Sequence, residues 1–163
     1  MHKHLAKILF GAAVVMPALG GARFAPASGT PIGDWYERLE KPPFNPPNAA
    51  FGPVWTALYA AIATSGYRVY RSIPSGARSR ALRLWFLQLT VNGAWSPIFF
   101  GARSPTLALG DLILLLPLLE AYRREAARVD RNAARLFVPY IAWALFAGAL
   151  NFEIVRRNAG REG

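Results

Sequence analysis

One stretch of this chain carries two amides and then two aromatic rings at helical spacing. Gln88, Asn92, Trp95 and Phe99 follow at intervals of four, three and four, so on a helix they share one face. A side-chain amide left unpaired in hydrocarbon costs several kcal/mol, which requires Gln88 and Asn92 to point away from lipid. Such a stripe has two uses. It can tie helices together by hydrogen bonds, or it can line a cavity whose rings hold a flat apolar ligand while the amides anchor its few polar atoms.

Two other stretches repeat the pattern. Phe51, Trp55 and Tyr59 stand four apart, and Tyr140, Trp143, Ala147 and Asn151 stand three, four and four apart. Tryptophan and tyrosine commonly anchor a helix at the membrane interface. Trp55 and Trp143 lie a third to midway along their apolar blocks, where anchoring explains them poorly. Trp85, which opens its block, is expected to be such an anchor. Small residues such as Ala147 and Gly148 let a neighbouring helix or a flat ligand approach closely. Asp111, early in an apolar block, is expected to reach interfacial water or Arg103. Glu153 is expected to pair with Arg156 or Arg157.

Other chemistry is missing. There are no cysteines, hence no disulfide framework and no thiolate site. The only histidines are His2 and His4, too few for a metal centre. No HExxH pair, glycine-rich phosphate loop or nucleophile elbow occurs. A redox haem needs an axial ligand, and Met16 is the only candidate in an apolar block. Neither an enzyme nor an obligatory cofactor is therefore expected.

The elements that must carry these faces are read from hydropathy. Of 163 residues 53% are hydrophobic, and they come in long blocks with the charges mostly between them. A helix needs about 20 apolar residues to cross roughly 30 Å of hydrocarbon. The blocks predict helices over about 5–25, 48–71, 80–102, 105–125 and 133–157, which is an all-α integral membrane protein with a five-transmembrane-helix bundle as a single domain over 1–163. The first block can also be read as a cleaved signal peptide. Residues 26–48 hold six prolines (Pro26, Pro31, Pro42, Pro43, Pro46, Pro47) and cannot form one regular helix, although a short helical turn fits at 34–39. The link at Arg103 and Ser104 is so short that the third and fourth helices should form an antiparallel pair. There is no internal repeat, which disfavours an inverted-repeat transporter.

The formal net charge is +10 and the pI about 10.9. No nucleic-acid module accompanies it, so no nucleic-acid partner is expected; the charges suit loops beside anionic headgroups. Most of the 19 Lys and Arg, including Lys3, Lys7, Arg68, Arg78, Arg123 and Arg135, fall on the side of the N-terminus. The positive-inside rule then puts the N-terminus in the cytoplasm if the membrane is a bacterial inner one. A multi-pass protein of a bacterial membrane, inner or outer, is the expectation.

Four stretches together resemble the TspO/MBR family, which takes in the translocator or peripheral benzodiazepine receptors and the tryptophan-rich sensory proteins. They are 34–47 (DWYERLEKPPFNPP), 52–59 (GPVWTALY), 88–103 (QLTVNGAWSPIFFGAR) and 138–152 (VPYIAWALFAGALNF), followed by Arg156. The resemblance implies a five-helix bundle, often a homodimer, with a first loop closing a cavity and a first helix that is retained. It implies binding of tetrapyrroles (protoporphyrin IX, haem), of sterols from the membrane lipid, and of isoquinoline or benzodiazepine compounds, with a sensory role in porphyrin transport or turnover. The family's ligand-contacting positions fall on Trp55, Asn92, Trp95, Phe99, Trp143, Ala147 and Leu150, with Tyr36 as a lid aromatic; Tyr59 and Gln88 join them from the helical faces. An alternative within the family is oxidative or photochemical degradation of bound porphyrin, with Trp55 and Trp143 as electron partners. Two positions depart from the pattern. Phe44 stands where many relatives carry tryptophan, which implies a lost stacking contact. Phe152 stands where the weak cholesterol-recognition pattern wants tyrosine, which implies weaker sterol binding.

Overall fold

The structure is a computed structural model that describes residues 2–159, with side chains from His4 onward. Lys3, counted above for orientation, and His2 lie outside the described side chains. The described residues are helical, and no strand occurs among them. The elements are α1 (His2–Arg23), α2 (Pro31–Arg38), α3 (Asn48–Arg71), α4 (Gly76–Ser96), a π-helical turn (Pro97–Gly101), α5 (Pro105–Ala127), α6 (Arg131–Leu136) and α7 (Val138–Asn158). Segments His4–Arg23, Pro105–Ala127 and Arg131–Asn158 are each long and apolar enough to cross a membrane.

The packing follows from which face of each helix is buried. On α1, Ala6, Phe10 and Val14 are buried at spacing four and meet α3 and α4. The other faces expose Leu5, Ile8, Leu9, Val15, Met16 and Leu19. A helix apolar all round, with its outer face uncovered by protein, is what lipid contact asks for. Helices α4 and α5 pack along one another after the tight turn expected from Arg103 and Ser104, and α5 packs on α7. In that turn Arg103 adopts φ 53°, a left-handed conformation unusual outside glycine, and the Ser104 hydroxyl accepts from the Leu107 amide to cap α5.

Three sequence expectations are corrected. First, α4 does not run regularly to residue 102. Pro97 has no N–H to give the Gly93 carbonyl, and the chain widens into a π turn closed by Ala102 N donating to Pro97 O at 2.8 Å. Second, the last predicted helix is broken. Pro139 cannot donate to the Arg135 carbonyl, so α6 ends at Leu136 and α7 starts at Val138. Third, Trp85 is no interfacial anchor. It is fully buried, its Nε1 donates to the Ile62 carbonyl at 2.9 Å, and Phe10 packs on it at 4.8 Å. Gly66 makes the space, because a Cβ there would lie 2.5 Å from the Trp85 indole and 2.8 Å from the Phe10 ring.

The end of the bundle away from α2 is tied by polar groups. The buried Ser65 hydroxyl donates to the Ala133 carbonyl at 2.8 Å and meets the Tyr122 hydroxyl at 2.7 Å. Asp130 caps α6, accepting from Asn132 N and Ala133 N at 2.8 and 2.9 Å, and pairs with Arg68 at 2.9 Å. Burial works to raise the Asp130 carboxyl. The Ala133 amide and the Arg68 guanidinium outweigh it and hold the group below its ordinary value of 3.8.

Two predictions follow from this packing. Gly66→Ala should destabilise the purified protein by about 1–3 kcal/mol through overpacking against Trp85 and Phe10; thermal unfolding in detergent measures it, and wild-type stability would show that the indole is free to shift. Asp130→Ala should cost about 1 kcal/mol at neutral pH. A carboxyl lowered by folding stabilises fully above its unfolded value and stops doing so as pH falls through the folded one. The gap between wild type and Asp130→Ala should therefore narrow below pH 3.8; a pH-independent gap would contradict the role of its charge.

Candidate ligand cavity

A cavity of about 510 Å³ opens inside the bundle near α2. Pockets of roughly 300–1,000 Å³ suit drug-sized or cofactor-sized molecules. Its wall on α3 carries Phe51, Trp55 and Tyr59, and its wall on α7 carries Tyr140, Trp143, Ala147 and Leu150. These are the two faces that period and spacing marked in the sequence. The α4 wall carries Asn92 and Trp95, with Phe99 beyond them in the π turn.

Gln88 stands apart from the other expected site residues. It is fully buried one turn from Asn92, its Nε2 donates to the Trp85 carbonyl at 2.9 Å, and it is not on the cavity wall. Its Oε1 is buried as well and has no hydrogen-bond partner.

Hydrogen bonds fix the walls. Asn151 is buried between three helices. Its Nδ2 donates to the Pro105 carbonyl at 2.7 Å, and its Oδ1 accepts from Trp95 Nε1 at 3.2 Å. The Trp95 indole is thereby held flat for Phe99, which stacks on it at 4.8 Å and 21°. The Tyr59 hydroxyl donates to Asn92 Oδ1 at 3.1 Å. Trp55 packs at 5.2 Å from Tyr59 and 6.1 Å from Tyr140. Trp143 packs edge-on to Phe51 at 5.9 Å.

The segment 26–47 forms the lid. Thr30 caps α2 by accepting from Gly33 N at 3.0 Å, and Pro31 follows at the first helical position, where its missing N–H costs nothing. This brings Tyr36 to the cavity roof, edge-on to Phe99 at 6.4 Å and Phe100 at 5.5 Å. Burial pushes the Tyr36 phenol up, opposed by the polar side chain of nearby Asn45. Lys41 Nζ sits 4.5 Å above the Tyr36 ring. The lid is pinned to the end of α7, where Asn158 accepts from Glu40 N and donates to Glu40 O, both at 3.0 Å.

The two departures from the family pattern lie outside the cavity wall. Phe44 is half-exposed and packs edge-on to Phe146 at 6.3 Å. Phe152 is exposed on the outer face of α7. Asp111 makes no ion pair with Arg103, which instead reaches the Pro31 carbonyl at 3.4 Å. Glu153 pairs with both Arg156 and Arg157, at 2.8 and 3.1 Å.

Several wall residues escaped the sequence reading. Pro17, Ala18, Gly21 and Ala22 of α1 close one side. Their three-to-four spacing on one face was available as a signal, but small residues read equally as helix contacts. Phe100 reaches the wall beside Phe99 because the π turn inserts one residue into the α4 register. Leu112 and Leu115 of α5 carry no polar mark that sets them apart from other leucines.

The TspO/MBR family model matches residues 13–157. The chain is 40% identical over 153 residues to the human translocator protein, covering 90% of this chain and 88% of that one. It is 36% identical over 154 residues to the tryptophan-rich sensory protein of Cereibacter sphaeroides, with 94% and 92% covered. To the tryptophan-rich protein TspO of Archaeoglobus fulgidus it is 38% identical, with 90% and 93% covered. A family match across most of the chain, with identity at this level to full-length relatives from three kingdoms of life, has one meaning: this membrane protein belongs to the TspO/MBR family.

Proposed function

We propose that this protein is a five-span membrane receptor whose cavity binds a tetrapyrrole, with protoporphyrin IX or haem as the natural class, and modulates its transport or turnover. The spans are α1, α3, α4 with its π turn, α5 and α7. Helix α3 has 24 residues and α4 has 21, each enough for about 30 Å at 1.5 Å per residue. Arg68 and Arg71 at one end of α3, and Arg78, Arg80 and Arg83 at the start of α4, sit where a bilayer surface would receive them.

One observation carries the ligand reading. Trp55, Trp95 and Trp143, from three different helices, face a single apolar cavity under an aromatic roof. Helix packing alone does not require three indoles around an open space. A flat conjugated ring fills it by offset stacking and edge contact, each worth about 0.5–1.5 kcal/mol beyond the area buried. Sterols and isoquinoline or benzodiazepine compounds are further apolar occupants of the same space. Relatives named translocator and sensory proteins support a receptor or transport role rather than an enzymatic one.

Titration of the protein in detergent with protoporphyrin IX, followed by tryptophan fluorescence, tests this reading. Saturable quenching is expected. Trp143→Phe should weaken the affinity by about fivefold, corresponding to about 1 kcal/mol, while Phe152→Leu on the outer face should leave it unchanged. A linear response, or equal affinity in all three proteins, would mean partitioning into detergent and would defeat the proposal.

A further inference from the structure

The inner end of the cavity, away from the lid, holds polar atoms that the bundle itself does not satisfy. Tyr140 lines the cavity, is fully buried, and its hydroxyl has no hydrogen-bond partner. Its ring is held by Phe137 at 5.6 Å and Trp55 at 6.1 Å. Asn92, the amide that the Tyr140 hydroxyl approaches, already accepts from Tyr59 through its Oδ1. A buried hydroxyl without a partner gives up its hydrogen bonds to water and gains nothing in return, which destabilises the fold. Phenylalanine would fill the same volume without that cost, so the hydroxyl is not explained by packing.

A second unpaired group stands next to the cavity wall on α5. Asp111 precedes the wall residue Leu112 on α5, and one of its carboxylate oxygens is buried without a hydrogen-bond partner. The polar side chains that share this end of the cavity wall with Tyr140 are Tyr59 and Asn92. No cation is among them. At the opposite, lid end a cation, Lys41, lies over the ring of the roof residue Tyr36, off the cavity wall itself.

We propose that Tyr140 is the hydrogen-bond donor of an inner subsite that takes a neutral acceptor atom of the ligand, and that Asp111 turns anionic groups away from this end. This rests on the cavity binding a tetrapyrrole. It adds a direction and a selectivity: the carboxylate edge of the ring stays at the lid end, and the opposite edge enters first. A carbonyl or similar neutral oxygen on the entering edge gains the Tyr140 hydrogen bond. A negative group there meets the Asp111 carboxylate in a low-dielectric interior, where like charges repel far more strongly than in water.

Three porphyrins that share their two propionates and differ on the opposite edge test this. Protoporphyrin IX carries vinyl groups there, diacetyldeuteroporphyrin neutral carbonyls, and deuteroporphyrin disulfonate anions. In the wild-type protein the diacetyl compound should bind about fivefold more tightly than protoporphyrin, the scale of one hydrogen bond, and the disulfonate at least about tenfold more weakly. Tyr140→Phe should abolish the diacetyl advantage while leaving protoporphyrin affinity unchanged. Its unliganded unfolding temperature should equal or exceed the wild-type value. Asp111→Asn should relieve the disulfonate penalty. A diacetyl advantage that persists in Tyr140→Phe, or a loss of unliganded stability in that variant, would overturn the donor role and show the hydroxyl to be structural. A disulfonate penalty that survives Asp111→Asn would overturn the selectivity. Saturable binding by none of the three porphyrins would overturn the ligand reading and this inference with it.

Discussion

The cavity depends on the buried side-chain amide of Asn151. By donating to the Pro105 carbonyl and accepting from the Trp95 indole it joins α7, the start of α5 and α4 at one point. In a hydrocarbon interior neither partner has water to fall back on, so the three helices keep this arrangement. The aromatic roof is built outward from it. Trp95 is held by Asn151, Phe99 stacks on Trp95, and Trp35 and Tyr36 of the lid lean on Phe99 at 5.7 and 6.4 Å. The Asn158–Glu40 hydrogen bonds then fasten the lid to the end of the same α7. One helix thus holds both the floor and the roof of the space.

The opposite end of the bundle has a different logic. Trp85 fills a recess made by Gly66 and capped by Phe10, and Ser65, Tyr122 and the Ala133 carbonyl close a small polar knot around it. This half is densely packed, with Trp85, Tyr122 and Phe137 fully buried. The half near the lid is open and rimmed with aromatic and small residues. The division is chemical: where side chains satisfy one another the helices close up, and where indoles and alanines face inward without filling the centre a space remains.

Much of this was legible in the chain. The faces Phe51–Trp55–Tyr59 and Tyr140–Trp143–Ala147–Asn151 could be found by helical period, because a rigid 3.6-residue repeat turns spacing into direction. The proline-rich segment could be recognised as something other than a span, because proline excludes a long regular helix; its closing role came only from the family resemblance. Tertiary facts were not legible. Trp85 reads as an anchor until Gly66, about 20 residues away, is seen to open a recess for it. Gln88 and Asn92 share a face, yet only Asn92 reaches the cavity. The π turn at Pro97 moves Phe100 onto the wall, and the leucines of α5 have no local feature that distinguishes lining from packing. Hydropathy alone also separates α3 and α4 from the more apolar helices, since their arginine-bearing ends dilute the signal.

The five tryptophans offer the most direct test of the claim that a tetrapyrrole occupies this space. Three line the cavity, Trp35 packs on its roof, and Trp85 is sealed in the dense half. With all five labelled as fluorotryptophan, fluorine NMR can follow each ring while protoporphyrin IX is added. A ring current falls off steeply with distance, so the resonances of Trp55, Trp95 and Trp143 should shift strongly and saturably, and that of Trp85 should stay in place. Equal small shifts at all five, or a response confined to Trp85, would put the porphyrin outside the bundle and contradict the account.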